Sequence, residues 1–416
     1  MKLYKTTHNH SLFAFFIICL SWCTIYVVLD TFSLWSCWGV KNMITRFPDL
    51  HILLSAIDGH HSGIDVMREN PLCIFEIPHV YSRAWFSLHF LGFSDSNRLL
   101  IGVTTLIAFA GCTAYLVQGH ALKSLLFLCS SALLLAIERC NNDIFIFILL
   151  FFAGYLATRK GNLSIFACHL ILIFATSLKY YPIAFSIIFV FRGNTLASNF
   201  KHIAFQITFF FTWILYIRSD LIAQSSNIPD PGFAWSFGIH SFISLVNTSL
   251  NTNSISSSIL ISFSSVAFIY LATKFYIKGR WQYAKRANNI QHLNFLAGGT
   301  SVLLFCYIVK TNFDYRMLFF IFCIPALLNI KVEDSKNLRT LICHPSFIFI
   351  LFVVSSWFET IIELVVMLTI PLGIQEFKPH ALYGLRASEI IINHFSFMLL
   401  SAYTISAVCR QRLSMT

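Results

Sequence analysis

Glu138-Arg139-Cys140-Asn141-Asn142-Asp143 runs directly into Ile144-Phe145-Ile146-Phe147-Ile148-Leu149-Leu150-Phe151-Phe152-Ala153-Gly154-Tyr155-Leu156. The second half of this stretch is apolar on every side. It fits neither an amphipathic surface helix nor the alternating strand of a membrane barrel, so it reads as a helix in lipid. Comparable runs of roughly 16 to 25 residues recur along the 416-residue chain, which has 44 Phe, 57% hydrophobic residues and 11% charged residues. Soluble domains carry about a quarter charged residues, so the composition predicts an all-α integral membrane protein. Residues 1–416 form a single polytopic domain in this reading. About twelve spans are expected, near 11–30, 99–117, 122–137, 143–157, 162–178, 181–192, 202–218, 256–277, 292–309, 315–330, 345–370 and 388–408.

The formal charge of +11 suggests nucleic acid, but the Lys and Arg residues sit in short loops between apolar runs, where they set orientation; no nucleic-acid partner is expected. With the N-terminus in the cytoplasm, 17 of the 29 Lys and Arg residues face inward, including the dense Lys274 to Arg286 loop, and 12 face outward. Five of the outward set belong to the long first loop, where the bias is weak. Both termini are then cytoplasmic. The Ser11 to Leu29 run follows Lys2 and Lys5 as in a signal peptide, yet it is long and no small-residue cleavage site follows, so it is read as the first span. Most of the 12 cysteines lie in spans and read as small apolar residues. No Cys/His metal spacing and no Asp-x-Asp pair occurs, and no metal or cofactor is expected.

This topology gathers the polar clusters on the external face. They are the first loop (31–98), with a surface helix beginning at Pro48-Asp49, then Glu138 to Asp143, Lys179-Tyr180-Tyr181-Pro182 and Asn312-Phe313-Asp314-Tyr315-Arg316. About 16 apolar residues before Glu138 span only about 24 Å, so the Glu138 to Asp143 turn is expected below the surface. It is either the floor of a cavity or a helix hairpin with Asn142 or Asp143 as cap. Asp49 is either a helix cap or an exposed base. Lys179 between tyrosines is either a phosphate ligand or part of an aromatic belt, and Arg316 beside Asp314 is either an ion pair or an anion site. A second external loop is expected at 219–255.

In this order the clusters resemble polytopic glycosyltransferases of the GT-C superfamily, of the family-87 type, which take a sugar from a polyprenyl-phosphate carrier. The matching elements are Asp49 to His51, Gly63 to Pro71, Pro78 to Trp85, Glu138 to Asp143, Lys179 to Pro182 and Asn312 to Arg316. Cys140 stands where this turn usually has Gly, and Leu53 where a Tyr often follows. The resemblance implies an inverting transfer to a glycan or glycolipid acceptor on the periplasmic face of a bacterial inner membrane. Asp49 would be the base, and Lys179, Tyr180, Arg316 and Arg139 would bind the donor phosphate. His51, Asp65, Arg83, Glu138, Asn141, Asn142, Asp143 and Asp314 would line the cavity. Such a reaction needs a carboxylate to take the acceptor proton and cations to receive the leaving phosphate. Competing classes are a transporter or flippase, against which stands the lack of related halves, and an O-antigen-type polymerase or ligase, which would carry its long loop late.

Overall fold

A computed structural model describes residues 2–40, 43–159, 161–191, 196–225, 236–250, 254–278, 282–283, 289–309, 312–331, 344–369 and 378–413. Among them the chain is helical almost throughout. Its extended pieces are two-residue strands: Ser236–Phe237 pairs antiparallel with Asn312–Phe313, and Gln282–Tyr283 with Ile330–Lys331.

Among the described residues, four helices are long and apolar enough to cross a bilayer: Asn9–Thr31, Asp95–Val117, Ile290–Val309 and Leu382–Arg410. Two bent pairs, Ala121–Leu128 with Ser131–Arg139 and Pro345–Ser356 with Phe358–Leu368, bring the number to six if each is one broken span. The twelve expected from apolar run length are thus matched by four to six on helix length. Part of the difference lies in helices such as Asn142–Ala157 and Asn162–Leu178, which are apolar but short. Sixteen residues of α-helix rise only about 24 Å against a hydrocarbon core of about 30 Å. The 219–255 loop lies partly outside the described residues, as do the Lys274 to Arg286 and Lys331 to Arg339 loops.

The chain divides into two compact units. One comprises Met1–Asn42, Thr113–Leu134 and Pro231–Thr416, the other Met43–Cys112 and Leu135–Asp230. In the first, the N-terminal helix turns Leu12, Phe13, Phe16 and Leu20 outward, as a lipid-facing span does. Carbonyls freed where the Ala121–Leu128 helix stops are taken up by indole donors. Trp22 Nε1 donates to Leu128 O at 2.9 Å and Trp38 Nε1 to Cys129 O at 3.0 Å. The core holds Phe295 stacked on Phe322 and Phe320 on Phe352, with ring centroids 5.5 and 4.0 Å apart. Gly299 permits this closeness, since a Cβ there would lie 2.6 Å from Phe322 Cβ.

The second unit is built around the Pro48–His61 helix. Pro48 occupies its first turn, where a missing N–H costs nothing, and Gly63 at φ +82° ends the segment. Leu53, Leu54, Ser55, Ala56 and Ile57 are all buried, and five consecutive residues cover the full circumference of a helix. The helix is therefore enclosed within its unit, and the expectation that it lies on the membrane surface with one apolar face does not hold. Three polar motifs lead into 3₁₀ helices of unusual length: Arg83–Leu91, Tyr181–Phe191 and Asp314–Phe322. Runs of this helix type longer than three or four residues are uncommon.

Candidate functional site

Asn141 organises the polar centre of the second unit. It is the N-cap of the Asn142–Ala157 helix in extended conformation, and its Oδ1 accepts from Asp143 N at 2.9 Å. The cap is thus Asn141, one residue before the positions expected. Its amide nitrogen is then directed away from the helix and donates to Asp49 Oδ2 at 2.5 Å. Arg139 Nη1 lies 3.8 Å from Asp49 Oδ1. Asp49 itself sits in the first turn of Pro48–His61, yet that helix end has no side-chain cap. Its carboxylate is engaged across the site, and the helix-cap alternative drops out.

The Asp49 side chain is 13% exposed. Burial, the largest influence, pushes its carboxyl above the ordinary carboxylate range; Arg139, the Asn141 amide and Lys179 pull it back, and Asp143 adds to the rise. The result is a carboxylate with raised proton affinity, held by an amide donor and a guanidinium, as a general base requires.

Next to it, Lys179 Nζ bonds Asp143 Oδ1, and Tyr181 OH donates to the same oxygen at 2.7 Å. Lys179 also lies 5.0 Å from the centroid of the Tyr81 ring, a cation–π contact. Trp85, buried at the start of Arg83–Leu91, donates from Nε1 to Leu178 O at 3.2 Å and so fixes the approach to Lys179. Asn142 is buried, and both atoms of its amide lack hydrogen-bond partners among the described residues; Glu138 is buried with Oε2 in the same condition.

Other expected cavity residues lie elsewhere. Buried His51 is a tie within the first loop. Ile74 N donates to its Nε2 at 3.2 Å, so Nδ1 carries the proton and donates to Asp95 Oδ1 at 2.9 Å. Asp65 and Arg83 line a separate hollow of about 360 Å³ with His60 and Phe86, at the far end of Pro48–His61, roughly 16 Å along the helix from Asp49. Arg83 is paired there with Asp220 at 3.0 Å. Tyr180 is half-buried beside Lys179.

Asp314 and Arg316 belong to the other unit. There Asp314 joins a cluster that sequence reading missed: Glu359 of Phe358–Thr369 with Arg386 and Glu389 of Lys378–Leu413. Arg386 bonds Glu359 through both guanidinium branches, with Nη2 2.7 Å from Oε2, and Glu389 Oε2 at 3.0 Å. The Arg386, Glu389 and Asn393 spacing of three and seven places all three on one face of a helix, and that was the available signal. No family model, curated protein or solved structure matches the chain.

Proposed function

We propose that this chain is a multi-pass membrane glycosyltransferase that moves a sugar from a polyprenyl-phosphate donor to a glycan or glycolipid acceptor, with inversion. One observation carries the reading: Asp49 is spent on no helix cap and is held, with raised proton affinity, between Asn141 and Arg139. In this mechanism Asp49 takes the proton of the acceptor hydroxyl while that oxygen attacks the anomeric carbon, and the polyprenyl phosphate leaves toward Arg139 and Lys179. Lys179 reaches the phosphate by exchanging its bond to Asp143. The roles of Arg316 in donor binding and of Asp65 and Arg83 in the cavity rest on the resemblance. Twelve spans rest on apolar run length and cytoplasmic termini on the Lys and Arg distribution, while the periplasmic face of a bacterial inner membrane rests on the resemblance.

The test is incubation of the purified protein and an acceptor extract with a panel of polyprenyl-phosphate sugars, with polyprenyl phosphate release measured. Release from at least one donor, lost in Asp49→Asn, supports the reading, and no release from any overturns it. A transporter is the second reading. It is favoured by the ionisable cluster of Glu359, Arg386 and Glu389 within candidate spans, where charges are rare and mark ion paths.

A further inference from the structure

The strongest group outside the candidate active site is the Asp314, Glu359 and Glu389 cluster. Three separate elements contribute to it, the Asp314–Phe322 segment, the Phe358–Thr369 helix and the Lys378–Leu413 helix, and all three side chains are buried. One carboxylate oxygen from each lies within 4.8 Å of the other two. Arg386 accounts for Glu359 and for one oxygen of Glu389. It does not account for Asp314. Asp314 is 4% exposed, and its Oδ1 has no hydrogen-bond partner among the described residues. A buried carboxylate oxygen in this condition is destabilising, and two further carboxylates beside it add to the cost. Three buried acids whose oxygens lie this close carry more negative charge than Arg386 alone neutralises, and a cation between them would balance it.

Ligand type follows from the donor set. Three carboxylate oxygens are hard ligands, with no imidazole or thiolate in the group, and they suit Mg²⁺, Mn²⁺ or Ca²⁺ in preference to zinc or copper. Metal–oxygen distances of roughly 2.1–2.4 Å put any two ligands of one ion no more than about 4.8 Å apart, and these three oxygens lie within that limit. Asn393 lies one helical turn beyond Glu389 on the same face and takes a hydrogen bond from Ser355 on its oxygen, while its buried amide nitrogen has no hydrogen-bond partner among the described residues. The Glu359 end is held firmly. Gly39, at φ +73°, sits so close that a Cβ there would lie 2.6 Å from Glu359 Cβ.

We infer that Asp314, Glu359 and Glu389 form a binding site for one hard divalent cation, with Arg386 as the positioning residue that fixes the two glutamates. The site is independent of sugar transfer. It stands or falls on cation binding alone.

The experiment is titration of the EDTA-treated full-length protein in detergent with Mn²⁺, followed by the loss of the free-Mn²⁺ electron paramagnetic resonance signal. One saturable Mn²⁺ per chain is expected, with affinity lowered at least about tenfold in Asp314→Asn and in Glu389→Gln. Glu69→Gln, an exposed acid in the other unit, should bind as the parent does. Absence of saturable one-to-one binding in the parent protein overturns the proposal. So does unchanged affinity in both variants. Infrared bands of protonated carboxyl groups together with no bound Mn²⁺ would assign the cluster to protons and likewise overturn it. Should Asp314→Asn fail to fold, Asp314→Glu keeps the charge and displaces the oxygen, and unchanged affinity in that variant with the parent's stoichiometry would count against the site.

Discussion

Asn141 donates from Nδ2 to Asp49 Oδ2 at 2.5 Å across 92 residues of sequence, while its Oδ1 caps the helix that begins at Asn142. One amide thus couples the start of an apolar helix to the proposed base. Asp49→Asn keeps an oxygen for the Asn141 donor but removes the proton acceptor. Turnover should fall about 10²–10⁴-fold with donor binding retained, as measured by polyprenyl phosphate release and by donor titration. A variant working at near-parent rate removes Asp49 from the mechanism.

The pH dependence follows from the same site. Burial raises the Asp49 proton affinity in the folded chain, so the base ionises above the ordinary carboxylate range, and kcat/KM should climb with pH through that raised value. For stability the sign is opposite. A carboxyl whose folded pKa is raised adds stability that is fully present below its unfolded pKa and is lost as pH rises through the folded one. The difference in unfolding free energy between the parent and Asp49→Asn should therefore shift against the parent as pH rises across that window.

Asn141 separates two roles by substitution. Ser caps a helix about as well as Asn but has no amide to reach Asp49, so Asn141→Ser should unfold like the parent and turn over more slowly. Asn141→Ala loses the cap as well and should cost about 0.5–2 kcal/mol in unfolding free energy. An Asn141→Ser protein with parent-like turnover would show that the Asn141 to Asp49 bond has no part in the reaction.

How far the site could be read in advance varies residue by residue. The Glu138 to Asp143 turn stood out because polar groups after a short apolar run cannot reach water without a cavity or partners, and the structure does supply Asp49 for Asn141 and Lys179 for Asp143. The enclosure of Pro48–His61 was not legible. Its pattern of Leu50, Leu53, Leu54 and Ile57 is that of a one-faced helix, and its enclosure comes from tertiary packing, with Arg83–Leu91 and Asp95–Asn97 among its neighbours. Glu359, Arg386 and Glu389 escaped notice because isolated charges in apolar runs resemble span ends. Their meaning appears only when chain segments about 30 residues apart are side by side.

Lys179 and Asp143 offer a prediction about folding that is separate from the proposed role of Lys179 in receiving the phosphate. The pair is buried, and Lys179→Met removes the ammonium that bonds Asp143 Oδ1 while keeping the Tyr181 hydroxyl on that oxygen. The single variant should lose about 3–5 kcal/mol of unfolding free energy. Adding Asp143→Asn removes the stranded charge and should restore most of the loss. A thermal unfolding cycle over the four proteins measures this, and additive losses in the double variant would mean that the two side chains are not coupled.

Cys140 closes the turn with backbone φ of +44°, a conformation that costs an L-residue about 1–2 kcal/mol and costs glycine almost nothing. Its side chain is buried, with Sγ 3.9 Å from Gly102 O, a weak contact at most. Truncation to Ala removes the thiol and keeps the backbone cost, whereas truncation to Gly removes both. Gly in place of Ala ordinarily destabilises by about 0.5–1 kcal/mol through chain entropy, so at most positions Ala is the better of the two. Here the order should invert, with Cys140→Gly the more stable variant by up to about 1 kcal/mol. Chemical unfolding of the two variants side by side reads the sign directly, and an Ala variant more stable than the Gly variant would show that this turn does not hold residue 140 at positive φ.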